Sequence, residues 1–135
     1  MSIDQQALLD ALDQEQTIAL ATCAGSRVTI RPMSHIRRGH DIYFQTGARS
    51  LKLLQIAENP NVAVLCGTFE IEGEATAQGR PLDDPWFAEA YRAKHLRPFA
   101  LYSALPDEII VKVRIRRVRQ WQYVDGAPLL TEIEL

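Results

Sequence analysis

The sequence predicts a mainly β protein, a closed antiparallel barrel with helical decorations. Three observations support this. About six apolar or alternating runs read as strands separated by short turns. Only two or three helical segments interrupt them, and strands do not alternate regularly with helices, which disfavours a doubly wound parallel sheet. Closing the sheet would also remove its exposed edges. With 135 residues, 47% of them hydrophobic and 24% charged, the chain fits one globular domain over 1–135 rather than a disordered or tail-like polymer.

The elements follow from local pattern. Residues 4–14 (DQQALLDALDQ) set Ala7, Leu8, Ala11 and Leu12 on one helical stripe, with Ser2 or Asp4 as its cap. Residues 17–23 (TIALATC) read as a buried strand. A turn at Ala24-Gly25-Ser26 leads into an alternating strand, 27–33 (RVTIRPM), which completes a hairpin. Pro32 has no N–H for a ladder, so this strand needs an edge or a bulge there. Gly39-His40-Asp41 turns the chain into a third strand, 42–46 (IYFQT).

Residues 49–58 carry Leu51, Leu54 and Ala57 on a helical face, and Asn59-Pro60-Asn61 ends that helix. Two strands follow: 62–66 (VAVLC) and the half-exposed 69–76 (FEIEGEAT). Residues 83–104 form a helical region with Pro98 interrupting it. The segment 108–123 is one long strand with Ile109, Val111, Val113 and Ile115 on one face. Continuing that phase brings Arg117 and Arg119 to the same side, then Trp121 and Tyr123. Either a bulge shifts the register or the face leaves the core. Residues 129–135 offer a last strand.

Charge and composition exclude several function classes. The net charge of −2 provides no basic excess for general nucleic-acid binding. No apolar run approaches the roughly 18 residues of a membrane span. The acidic N-terminal segment lacks the basic start of a signal peptide, so a cytoplasmic location is expected. Cys23 and Cys66 each sit in a strand-like run and read as buried reduced thiols rather than a disulfide framework. His35, His40 and His95 lack metal-like spacing, so no metal site is expected. His35 and His40 read as surface or hydrogen-bonded residues of a hairpin, with a role for His35 near a ligand as the alternative, because it directly follows Pro32-Met33-Ser34. His95, beside Lys94 and Arg97, reads as part of a solvated face. Trp86, Phe87, Tyr91, Phe99 and Tyr102 read as core packing, with a substrate-facing lid as the alternative.

The segment 31–52, RPMSHIRRGHDIYFQTGARSLK, is the most informative. Arg31 ends one strand, Gln45 and Thr46 end the next, and Ser50 and Lys52 open a helix. A helix N-terminus presents free N–H groups and the positive end of its dipole, which suit an anion. The Thr46 and Ser50 hydroxyls and the cations Arg31, Arg49 and Lys52 can surround one phosphate. The backbone of Pro32, Met33 and Ser34 can run beside a flat ring. A plain capping turn with solvated Arg49 and Lys52 accounts for the same residues, and pattern alone leaves both readings open.

In order and spacing the segment resembles the pyridoxamine-phosphate-oxidase-like family of flavin-binding split barrels. The shared features are Arg-Pro-Met, an aromatic strand ending in Thr46, Ser50 four residues on and Lys52 six on. Glu-Asn-Pro-Asn-Val-Ala-Val-Leu, Ile-Glu-Gly-Glu-Ala and Val-Arg-Gln-Trp-Gln (118–122) are similar to its later strands. The resemblance covers 4–79 well and 108–124 more loosely. It implies a six-stranded split barrel, a homodimer, and FMN held at the subunit interface. Arg31 and Lys52 would then neutralise the flavin phosphate, with Thr46 and Ser50 adding hydroxyl donors. Pro32, Met33 and Ser34 would line the isoalloxazine, Gln45 would border the same pocket, and Trp121 would approach from the partner.

Two departures narrow what the resemblance implies. Leu51 stands where the family often has a basic residue, and Arg49 is the candidate to supply that charge. The late Arg-x-His segment that true pyridoxamine-phosphate oxidases use on their substrate has no match. The expectation is therefore an FMN-dependent oxidoreductase acting on an unassigned small substrate, with the flavin carrying the redox chemistry and no assigned catalytic side chain. The alternatives are a non-catalytic flavin-binding carrier, sensor or stress protein, or a deazaflavin- or haem-binding member of the same fold.

Overall fold

A computed structural model describes residues 3–135. Ser2, one of the two candidate caps of the first helix, lies outside them. Helix α1 (Gln5–Gln14) is capped by Asp4, whose Oδ1 accepts from Ala7 N at 3.1 Å. Its stripe buries Leu8 and Leu12 completely. Strands β1 (Thr17–Ala24) and β2 (Arg27–Ser34) form the expected hairpin, pairing from Thr17 with Ser34 to Ala24 with Arg27. A second hairpin joins β3 (Ile36–Arg38) to β4 (Asp41–Gly47).

Next come α2 (Leu51–Glu58), β5 (Asn61–Cys66) and β6 (Phe69–Gly79). A 3-10 turn at Pro81–Asp83 precedes α3 (Pro85–Lys94) and α4 (Leu96–Tyr102). The chain finishes with β7 (Glu108–Val124) and β8 (Ala127–Glu134).

The antiparallel ladder runs β2-β1-β5-β6-β7-β4-β3, with β8 added on β7. This corrects the expected six-stranded closed barrel: the sheet has eight strands and its hydrogen-bonded order is open. Two features account for the difference. His35 leaves the strand and turns inward, which splits 27–38 into β2 and β3, the two ends of the ladder. The C-terminal segment then pairs with the far half of β7, beside β6 as far as Gln120 and as a two-stranded ribbon beyond it. Pro32 lies on β2, which pairs with β1 alone, so its missing N–H meets no ladder.

The register question in β7 is settled by a bulge. Val111, Val113 and Ile115 are buried, and then the buried phase passes to Val118 and Gln120. Opposite them, Glu72 pairs with Arg117 but Gly73 pairs with Ile115, leaving Arg116 as the extra residue. That single insertion turns Arg117, Arg119, Trp121 and Tyr123 away from the core. Gly73 makes the bulge possible. A Cβ there would sit 2.6 Å from Val113 Cγ1 and 2.8 Å from the Arg114 carbonyl oxygen.

Three further expectations are corrected. On α2 the face Leu51, Leu54 and Ala57 is exposed, and Ile56 and Gln55 are buried instead, with Leu53 packing on the core. The helix carries two possible stripes, and the hydrogen bonds that Gln55 finds on the sheet select the second one. Pro98 does not interrupt the helical region. It lies in the first turn of α4, where no N–H is needed, and the break falls at His95. His95 is buried rather than solvated: its Nε2 lies 2.7 Å from the His35 carbonyl oxygen. Phe87 and Tyr91 pack with Ile36 and Ile110 in a second apolar cluster beside the main core, as the packing reading expected.

Candidate functional site

The end of β4 runs through a short turn into α2, and this connection assembles the polar centre. Ser50 is the N-cap of α2, its Oγ accepting from Leu53 N at 3.4 Å. Thr46 Oγ1 donates to Ser50 Oγ at 2.9 Å, and Lys52 Nζ donates to Thr46 Oγ1 at 3.2 Å. The spacing Thr46, Ser50, Lys52 therefore folds back on itself through one cap and one helical turn.

Arg31 enters from β2. Its Nη1 donates to Thr22 Oγ1 at 2.8 Å and to the Leu20 carbonyl at 3.2 Å, and its Nη2 donates to Thr29 Oγ1. Burial holds the Lys52 amine below its ordinary range, and the nearby Arg31 charge lowers it further. Burial also lowers the Arg31 guanidinium. Among the described residues neither cation is in an ion pair. Glu108 is buried and its carboxyl is raised, by burial first and then by Asp107, with Lys52 pulling the other way. Arg31 and Lys52 are thus two half-buried like charges with no carboxylate in contact among the described residues.

The other anticipated residues divide. Pro32 is exposed, Met33 is half-buried against the core and Ser34 is half-buried, all on β2, whose outer edge carries no ladder. Gln45 is buried on the face of β4 opposite Thr46, where its Oε1 accepts from Ser103 Oγ at 2.7 Å. Its Nε2 is buried and finds no partner among the described residues. Arg49 is exposed and joins none of the hydrogen bonds above. Trp121 is 54% exposed and pairs with Leu130. Thr46 pairs with Ile109, so Trp121 lies roughly 40 Å away along β7 and does not meet the Thr46, Ser50 and Lys52 side chains within one chain.

Sequence reasoning missed Thr22, Thr29, Gln55 and Glu108. The two threonines were legible: a two-residue turn at Gly25-Ser26 places Thr22 opposite Thr29. Gln55 and Glu108 carried no signal, because their burial depends on which helix stripe and which strand end face inward.

A family model described as pyridoxamine 5'-phosphate oxidase matches residues 4–122. The chain belongs to the pyridoxamine 5'-phosphate oxidase family. Solved structures agree with this family at the level of fold. General stress protein 26 from Bacillus anthracis is 22% identical, covers 98% of this chain and 100% of its own, and superposes with a TM-score of 0.72. An FAD-binding protein from Mesorhizobium loti is 12% identical over 87% of this chain and 94% of its own, with a TM-score of 0.69. The haem storage protein HutZ from Vibrio cholerae is 12% identical over 86% of this chain and 92% of its own, with a TM-score of 0.67. No curated protein matches the sequence. At such identities the neighbours speak to fold alone.

Proposed function

We propose that the protein is a homodimeric FMN-binding flavoprotein and an oxidoreductase of a small substrate. One observation carries the reading: Arg31 and Lys52 lie in each other's field, half-buried and unpaired among the described residues, beside the Thr46 and Ser50 hydroxyls. A dianionic phosphate ester fits that charge and that donor set. The free edge of β2 at Pro32-Met33-Ser34 suits the polar rim of a flat ring, because the backbone groups there that point away from β1 meet no other strand. The likeness to an FAD-binding protein supports a flavin over other phosphorylated ligands. Bound FMN would supply the redox chemistry. This chain's residues would bind and orient it.

Two observations support a second copy. Val28 and Ile30 are 69% and 67% exposed on the outer face of the hairpin. Ile30 also lines a groove of about 490 Å³ with an apolar floor of Ala19, Ala21, Ala63 and Leu65 and a charged rim of Glu70, Glu72 and Arg119. An apolar face of this kind suits an interface. Trp121, too far along β7 to reach the site of its own chain, is then free to approach the ring in the partner subunit.

Lys52→Ala and Arg31→Ala are each expected to weaken FMN binding by about 10- to 100-fold, the loss of one charge-assisted contact. Riboflavin, which lacks the phosphate, serves as the control and should change little. Unchanged FMN affinity in both variants rejects the proposal. Oxidation of reduced nicotinamide by the FMN-loaded protein separates an oxidoreductase from a flavin carrier.

A further inference from the structure

We propose that Gln55 is a positioning residue: its side-chain oxygen orients the two threonine hydroxyls that hold the Arg31 guanidinium ready for an anion. The inference rests on the reading of Arg31 as a phosphate ligand and goes beyond it to a residue on the helix behind the site. Gln55 is buried on α2 among Thr22, Thr29 and Arg27.

The direction of every hydrogen bond is forced from one end. Arg31 can only donate, so Thr22 Oγ1 and Thr29 Oγ1 must accept from it. Each hydroxyl must then place its own hydrogen elsewhere. Both oxygens lie 2.6 Å from Gln55 Oε1, which has two lone pairs and takes both hydrogens. The 3.2 Å contact between the two threonine oxygens is thus left without a hydrogen. With Oε1 assigned as acceptor, Nε2 donates to the Arg27 carbonyl at 3.2 Å, which fixes the amide against flipping.

The chain therefore runs from α2 through two hydroxyls to Arg31. Three of the five guanidinium donors are used in it, counting the Leu20 carbonyl. Nε and one hydrogen on Nη2 have no partner among the described residues, and they are the donors left for an anion. Holding the guanidinium before the ligand arrives avoids ordering it afterwards. Without Gln55 each threonine hydroxyl is free to turn its hydrogen toward Arg31, and the cradle becomes a repulsive one.

The test is a double-mutant cycle on FMN and riboflavin affinity. Gln55→Met keeps the length and removes both acceptances. It should weaken FMN roughly tenfold and leave riboflavin within about twofold. In an Arg31→Ala background the same change should have no further effect. In a Lys52→Ala background it should keep its full tenfold cost. Thr29→Val at a half-buried position should give the same phosphate-selective loss, so the test survives if Gln55→Met does not fold. An equal loss for FMN and riboflavin, or a loss that persists without Arg31, overturns the positioning role. Wild-type protein that binds FMN and riboflavin equally instead overturns the phosphate reading beneath it.

Discussion

Acidification from pH 7 to 4 is expected to cost the fold about 3 kcal/mol through His35 alone. The imidazole is fully buried, and its Nε2 lies 2.7 Å from the Leu12 carbonyl, to which it donates. Lys94 Nζ stands 3.4 Å from the same nitrogen, and Nδ1 has no partner among the described residues. Burial, reinforced by the Lys94 charge, lowers the folded-state pKa from 6.5 to about 4. Between those values the unfolded chain takes up a proton that the folded chain refuses. Stability from this group is therefore complete above pH 6.5, falls as the pH drops through the window, and changes no further below about 4.

Urea unfolding of wild type and His35→Gln at pH 7 and pH 4.5 measures the effect. The glutamine keeps a donor for Leu12 and removes the titration. Wild type should lose about 2–3 kcal/mol more than the variant over that interval. His95, also lowered by burial, adds a slope of the same sign to both proteins. The Asp13–Arg37 ion pair at 2.7 Å lowers the Asp13 carboxyl below 3.8, so its contribution is lost at lower pH than that of His35. Equal acid sensitivity of the two proteins would show that His35 is not the group that titrates.

Gly73→Ala is expected to destabilise the protein by about 2–3 kcal/mol, and Gly73→Val by more. The added carbon meets the side chain of fully buried Val113 at 2.6 Å and the Arg114 carbonyl at 2.8 Å. Neither neighbour is a flexible tip that can swing aside. Relief requires β6 and β7 to separate or the bulge to disappear. Loss of the bulge would flip every residue beyond it, sending Arg117 and Arg119 inward and Val118 outward. The midpoint of chemical unfolding measures the cost. A Gly73→Ala protein within about 0.5 kcal/mol of wild type would mean that the two strands yield easily at this point.

Much of the site was local and therefore legible. Thr46, Ser50 and Lys52 are brought together by one turn and one helix cap, so their spacing encodes their meeting. The β1–β2 hairpin, the Asp4 cap and the end of α2 before Asn59-Pro60 rest on the same kind of short-range chemistry. The sequence also stated the conflict in β7, by setting Arg117 in the phase of Val111 and Val113.

What resolved that conflict was a glycine 40 or more residues away on a neighbouring strand. The same holds for the choice between the two stripes of α2, the burial of His35 and His95, and the eight-stranded open ladder in place of six closed strands. Backbone preference and turn chemistry act over a few residues, so a single chain segment determines them by itself. Which face is buried, and which charge is left without a partner, depends on surfaces that meet only when distant segments pack.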